Sequence, residues 1–328
     1  MRASGANRTQ AALLALLIHA SACANNKGEA KPAPPPPPPP LAADIAAPLA
    51  PARAEPPKAD PVKGEPAKGD AAKVDAAPLA CVDLTGLDPS QIESINRLLD
   101  EKPSACGKGH SLRTSLKTDP GCKRSCYAGK YLVRLLKSGL LGSEAEEIYD
   151  KRFVAPEKGE CTVDAQAPVR GNPKAPILLC EFSDFQCPHC KLAEPLLSKL
   201  LDDNVGQVRL VYKNYPITKL HPEARDAAAA AVAAGNQGKF WQMHDKLFEN
   251  QDHLTKVDLE KYARELKLDV KKWSADLAGA KERVEKDHAE GEKNELTGTP
   301  TLYINGRKYA GPLRYEELKD WVDEELNR

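Results

Sequence analysis

Glu181-Phe182-Ser183-Asp184-Phe185-Gln186-Cys187-Pro188-His189-Cys190 is the stretch on which the reading of this chain turns. It closes an apolar run, Ala175 to Phe185, in which Ile177, Leu178, Leu179, Cys180 and Phe182 have the near-continuous hydrophobicity of a buried strand. It also opens a helix that runs to about Leu200. A Cys-x-x-Cys in that position puts its first cysteine at a helix N-terminus, where unpaired backbone N–H groups and the helix dipole favour a thiolate. The second cysteine lies about one turn deeper on the same side, so a small ring closes into a disulfide without disturbing the chain. His189, next to Pro188 between the two and able to carry a positive charge, adds stabilisation to the thiolate. A stabilised thiolate makes a weak disulfide, and a weak disulfide is an oxidant. Taken alone the motif also allows a structural disulfide or half of a zinc site, but no second Cys-x-x-Cys completes the latter.

Outward from this segment the pattern is α/β. Val208 to Tyr215 reads as a second strand, Thr301 to Asn305 and Lys308 to Gly311 as a hairpin across Gly306, and Tyr315 to Leu326 as a final helix. A long helical insert, Pro222 to Lys293, lies between the second strand and the hairpin. The first strand and helix then form part of a crossover unit.

The segment Glu181 to Gln186 followed by Cys-Pro-His-Cys resembles the active-site segment of the DsbA-type thiol-disulfide oxidoreductases of the thioredoxin fold. The likeness extends through His221, Pro222 and Ala224, the alanine run Ala227 to Ala234, Gln237 to Trp241, Met243 to Asp245 with Leu247 and Phe248, and the loop Gly298-Thr299-Pro300-Thr301. It takes in residues 162–328. The resemblance implies a thioredoxin fold with an inserted helical subdomain, and it implies roles. Cys187 is the exposed sulfur that a substrate thiolate attacks, and Cys190 its buried partner. Glu181 matches the family's buried acid that exchanges a proton with the buried cysteine; a partly exposed strand carboxylate is the plainer reading. Pro300 in the cis form faces the cysteines, and the backbone of Thr299 pairs with a substrate peptide as an added strand. Phe240, Trp241, Met243, His244 and Phe248 fall at helical spacing and read as core.

Residues 81–160 form a second unit with helical periodicity in Gln91 to Leu99, Tyr131 to Leu141 and Ser143 to Phe153, which predicts a small bundle of about three helices. Cys106, His110, Cys122 and Cys126 can be drawn as a zinc set, but in an exported chain disulfides are the stronger reading. If Cys122 and Cys126 share a helix, about one turn apart, the geometry is poor for bonding each other, so each pairs elsewhere. Cys180 reads as a buried free thiol, and Cys161 as pairing back to the helical unit, with Cys81 a candidate. The Cys-bearing turn and the following helices resemble the small helical domain of CcmH-type cytochrome c maturation proteins, without that domain's Cys-x-x-Cys.

Ahead of residue 81 the character changes. Arg2 and Arg8 precede the apolar run Ala11 to Ile18, then Ala20-Ser21-Ala22-Cys23, the order of an export signal and cleavage site over residues 1–22. A cysteine directly after small residues resembles the bacterial lipobox, which implies lipidation of Cys23; plain cleavage after Ala22 is the alternative. Ala24 in place of Asp implies the outer rather than the inner membrane. Residues 23–80 are an Ala/Pro/Lys-rich tether: 15 of the chain's 28 prolines fall in residues 31–80, and such a segment is predicted to stay disordered. The 47 Lys+Arg against 47 Asp+Glu give no reason to expect nucleic acid as a partner.

The expected function is an envelope thiol-disulfide oxidoreductase on the periplasmic side, introducing disulfides into exported proteins through Cys187–Cys190 with no cofactor. Its expected partners are exported proteins with free thiols, the membrane through a lipid anchor, and a DsbB-like membrane redox partner. An isomerase or reductase of the same fold is the alternative within the chemistry; a peptide-binding or structural lipoprotein with a stable disulfide is the alternative outside it.

Overall fold

The structure, a computed structural model, describes Leu79 and residues 81–328; the expected signal, lipidation at Cys23 and the proline-rich tether lie outside the described residues. Helices α1 (Pro89–Glu101), α2 (Leu112–Thr118), α3 (Lys123–Lys137) and α4 (Gly142–Phe153) come first. Asp88 caps α1 in a capping box with Gln91, and Pro89 occupies the first helical turn, where its missing N–H costs nothing. Four helices form where three are predicted. The seven-residue α2, capped by Ser111, is too short to show a period, and α3 begins eight residues before Tyr131 because Cys122 starts it. Ile95, Leu98, Leu99, Leu112, Tyr131, Leu132, Leu135, Leu136 and Tyr149 make a shared core.

The remainder builds one five-stranded sheet from β1 (Val169–Gly171), β2 (Ile177–Ser183), β3 (Val208–Asn214), β4 (Thr301–Ile304) and β5 (Arg307–Lys308), in the order β1-β3-β2-β4-β5. β2 and β3 are parallel, joined by α5 (Pro188–Asp203), and the other pairings are antiparallel. The expected β2, β3, hairpin and insert are present; the edge strand β1 is not predicted, since three residues carry no period. Between β3 and β4 lie α6 (Ala224–Gly235), α7 (Phe240–Glu249), α8 (Lys256–Glu265) and α9 (Val270–Lys293), and α10 (Tyr315–Leu326) closes the chain. The alanines of α6 are almost all fully buried, so that helix packs closely in the insert's core. At Gly291 on α9 an added Cβ would lie 2.4 Å from the Tyr215 ring, so the site admits only glycine without a shift.

Among the described residues three disulfides form: Cys81–Cys126, Cys106–Cys122 and Cys161–Cys180. Cys122 and Cys126 pair elsewhere, as expected, and three of the four residues drawn as a zinc set are spent in disulfides. Cys180 is not a free thiol and Cys161 does not pair with Cys81. The segment linking the two units runs beside the β4–β5 turn, bridging Lys158 to Arg307 and donating from Gly159 N to Gly306 O. That path carries Cys161 to Cys180 on β2, and Cys81 is left for Cys126.

The helical unit is bound to α10 by buried charge. Arg152 of α4, fully buried, donates to Glu324 at 2.7 Å and Asp320 at 3.0 Å, and lies 4.5 Å from the Trp321 ring centroid. Arg124 and Arg307 also meet Glu324, at 2.8 and 3.3 Å.

Candidate active site

The C-terminal end of β2 delivers the chain to Asp184-Phe185-Gln186, and Cys187 is the N-cap of α5. Three side chains hold this short loop. The Asp184 carboxylate, buried, accepts from the backbone N–H of Gln186 and of Ile217, each at 2.8 Å, and pairs with His221 Nδ1 at 2.8 Å. Gln186 makes a reciprocal pair with Glu223, donating its Nε2 to Oε2 at 2.6 Å and accepting from Glu223 N at 2.7 Å. Gln251, from the turn after α7, donates to the carbonyls of Phe185 at 2.8 Å and Cys187 at 2.9 Å. Asp184 and His221 stand inside the quoted motifs with no role given to them, and Gln251 is absent from the expectations. No local spacing marks these residues, because their partners lie 33 to 66 residues away in sequence.

The two sulfurs are free thiols in unequal surroundings. Cys187 donates to the Thr299 carbonyl at 3.3 Å, next to Pro300, whose peptide bond with Thr299 is cis. Hydrogen bonding from Cys190 brings the Cys187 thiol down to about 5 against the cost of burial, helped by Thr299 and the backbone N–H groups of Cys190 and His189. Cys190 is fully buried, accepts from Asp184 N at 3.5 Å, and is pushed well up by burial and by the neighbouring Cys187. Cys187 is more covered than expected, at 5% exposure, because the Thr299–Pro300 loop closes over it. His189 is exposed, and what it visibly gives the thiolate is its backbone N–H.

Glu181 sits on β2 opposite Tyr212 of β3 and is 3% exposed, so the plainer reading of a partly exposed carboxylate does not hold. Burial pushes its carboxyl up to about 7, partly offset by the Ser183 hydroxyl two residues on, on the same face of the strand. Ser183 also lies against Cys190 and Tyr212. The raised value carries a sign. Stability tied to neutral Glu181 is complete below its unfolded value near 4.5 and is lost as pH rises through about 7. In the oxidised protein, where neither cysteine titrates, Glu181→Gln is therefore expected to match the parent near pH 4.5 and to exceed it by roughly 3 kcal/mol at pH 8. Urea unfolding at the two pH values checks this; an equal difference at both refutes the buried neutral acid.

His244 is core, as expected. It is buried among Phe185, Tyr212, Phe240, Trp241 and Phe248, with Nδ1 2.8 Å from Asp245, and burial lowers its pKa.

Residues 164–324 match the family model described as Thioredoxin. This part of the chain is similar to the thioredoxin family and has its fold. In this domain α6 to α9 are inserted between β3 and β4. Among solved structures, a thioredoxin-like oxidoreductase from Silicibacter pomeroyi is 31% identical, spans 49% of this chain and 92% of its own, and has a TM-score of 0.45. BdbD from Bacillus subtilis is 28% identical over 52% of this chain and 98% of its own, with a TM-score of 0.46. Among curated proteins, the Na(+)/H(+) antiporter NhaA 3 of Salinispora tropica is 42% identical over 152 residues, 46% of this chain. The chain spans only 23% of that antiporter's length, and among the described residues no helix is long and apolar enough to cross a membrane.

Proposed function

We propose that this chain is an exported dithiol oxidase that passes the Cys187–Cys190 disulfide to folding proteins. One observation carries the reading: the two sulfurs are held in opposite protonation states, Cys187 drawn down to about 5 and Cys190 pushed well up. A thiolate this stable favours the dithiol, so the disulfide gives up its oxidising equivalents readily. A substrate thiolate attacks Cys187 Sγ, the Cys187–Cys190 bond breaks with its electron pair on Cys190, and a mixed disulfide forms. The substrate's second thiolate then attacks its own half of that bond and releases Cys187 as a thiolate. Glu181, neutral below about 7 and on the strand beneath, supplies the proton that Cys190 takes up. Thr299, whose carbonyl already accepts from Cys187, is the backbone edge for an extended substrate. A membrane oxidant of the quinone-linked type then restores the disulfide.

The test is the redox equilibrium of the full chain against glutathione, with Cys187 and Cys190 followed by alkylation and peptide mass. A potential above about −150 mV is expected; one near about −250 mV or below would make the protein a reductase or leave the bond structural. The lipobox-like Ala20-Ser21-Ala22-Cys23 supports a lipid-anchored placement in the envelope. Cys23→Ser is then expected to shift the protein from the membrane to the soluble fraction, and continued membrane recovery counts against the anchor.

A further inference from the structure

We propose that Cys106–Cys122 is a second redox-active disulfide, attacked at Cys106 by the thiolate of a thiol-bearing polypeptide and built to release Cys122 as a buried thiolate. The three disulfides differ in their surroundings. Cys81–Cys126 packs against the apolar core of the helical unit, and Cys161–Cys180 lies with Phe182, Tyr215 and Tyr303. Cys106 instead is exposed and followed by the exposed Gly107-Lys108-Gly109, leaving its sulfur open to approach. Its partner Cys122 is 6% exposed and is the N-cap of α3, whose first turn carries Lys123 and Arg124 and no acid. Exchange needs this division, an accessible sulfur to attack and a stabilised one to leave.

A chain of hydroxyls leads away from the buried sulfur. Cys122 Sγ is 3.0 Å from Ser125 Oγ, which is 2.8 Å from Ser115 Oγ. Ser115 donates to Asp119 Oδ2 at 3.1 Å, and Asp119 Oδ2 is 2.7 Å from Nε2 of His110, a half-buried side chain. Ser125 and Ser115 are 1% exposed. A disulfide sulfur gains little from a buried hydroxyl, whereas a thiolate gains a charge-assisted hydrogen bond. In the thiol form each proton points from Cys122 toward Asp119; for the thiolate the hydroxyls turn over and Ser125 donates to sulfur. The row is thus a proton route between the buried sulfur and the His110–Asp119 pair. Serines serving only to satisfy one another would not need a row that ends on sulfur.

The step balances. The polypeptide's thiolate bonds to Cys106, the Cys106–Cys122 bond breaks with its electron pair on Cys122, and Cys122 takes a proton through Ser125 and Ser115. The polypeptide's second thiolate then displaces Cys106, which is protonated by water. Two electrons have moved: the polypeptide dithiol is oxidised and the Cys106–Cys122 bond is reduced. Cys122 lies beside Arg124, which pairs with Glu324 near the end of α10, while Glu325 accepts from Asn305, which donates to Leu178 at the start of β2. Cys187 follows the other end of β2.

The test uses the full chain with Cys23, Cys187 and Cys190 each replaced by Ser, equilibrated in glutathione buffers, acid-quenched, alkylated and peptide-mapped. Cys106–Cys122 is expected to be half-reduced at a ratio of GSH squared to GSSG at least tenfold lower than Cys81–Cys126, with the transient glutathione adduct on Cys106. Ser125→Ala, or Asp119→Asn should the first disturb folding, is expected to slow that adduct at least fivefold without changing the reduction of Cys81–Cys126. Reduction of Cys106–Cys122 together with or after Cys81–Cys126, an adduct on Cys122, or an unchanged rate in a folded variant overturns the proposal.

Discussion

Cys190→Ala is expected to accumulate mixed disulfides with disulfide-bearing substrates, whereas Cys187→Ala is expected to lose thiol oxidation by about three orders of magnitude or more. The two variants differ although each removes one sulfur from the same pair. Cys187 is the N-cap of α5, and its thiol lies at about 5, so at neutral pH it is already a thiolate when reduced. Without Cys190 that sulfur still captures a substrate disulfide, but the complex has no internal thiol to release it. Without Cys187 the remaining sulfur is fully buried with its thiol pushed well up, so it presents neither access nor thiolate. Non-reducing gels of Cys190→Ala with a disulfide-bearing model substrate, and an oxidation assay of Cys187→Ala with a reduced one, distinguish the outcomes. Equal turnover in both variants, or adducts on neither, would remove Cys187–Cys190 from the mechanism. The size of the first effect also depends on the loop that aims Cys187, since Gln251 ties the Cys187 carbonyl and Asp184 ties the turn before it.

The fold was legible where the chain is locally consistent. The apolar run of β2, the Cys-x-x-Cys at the start of α5 and the final helix Tyr315–Leu326 each carry their period and their boundary within a dozen residues. What the sequence hid depends on meetings between distant segments. Cys180 reads as a core residue because its strand is apolar, and only the path of residues 155–163 brings Cys161 to it. The burial of Glu181 is set by β3 and α5 closing over that face, while the coverage of Cys187 is set by a loop 112 residues away. The Cys122-Ser125-Ser115-Asp119-His110 row is invisible to any pattern search, since it joins two helices, α2 and α3, with the loop before α2 through side chains with no common period.

Glu324→Gln is expected to cost about 3 to 5 kcal/mol at pH 7, the largest stability effect outside the dithiol. The residue is 1% exposed and its carboxylate meets three guanidiniums, those of Arg124, Arg152 and Arg307. Burial opposes its charge, yet Arg152 and Arg307 hold the carboxyl below the usual carboxylate range. Replacing one anion by an amide leaves the fully buried Arg152 with Asp320 as its remaining carboxylate, so the cost is that of a stranded cation rather than of one lost contact. The depressed value fixes the pH window. The stability contributed by Glu324 is complete above its unfolded value near 4.5 and is lost as pH falls through its lower folded value, so parent and variant should converge in acid. Lys151→Ala is the control, because its pair with Glu147 is exposed and is expected to matter by less than about 0.5 kcal/mol. Denaturant unfolding of the oxidised full chain at pH 7 and below pH 4 decides it. A Glu324→Gln loss no larger than the control would mean that the Glu324 carboxylate does not hold the helical unit to α10.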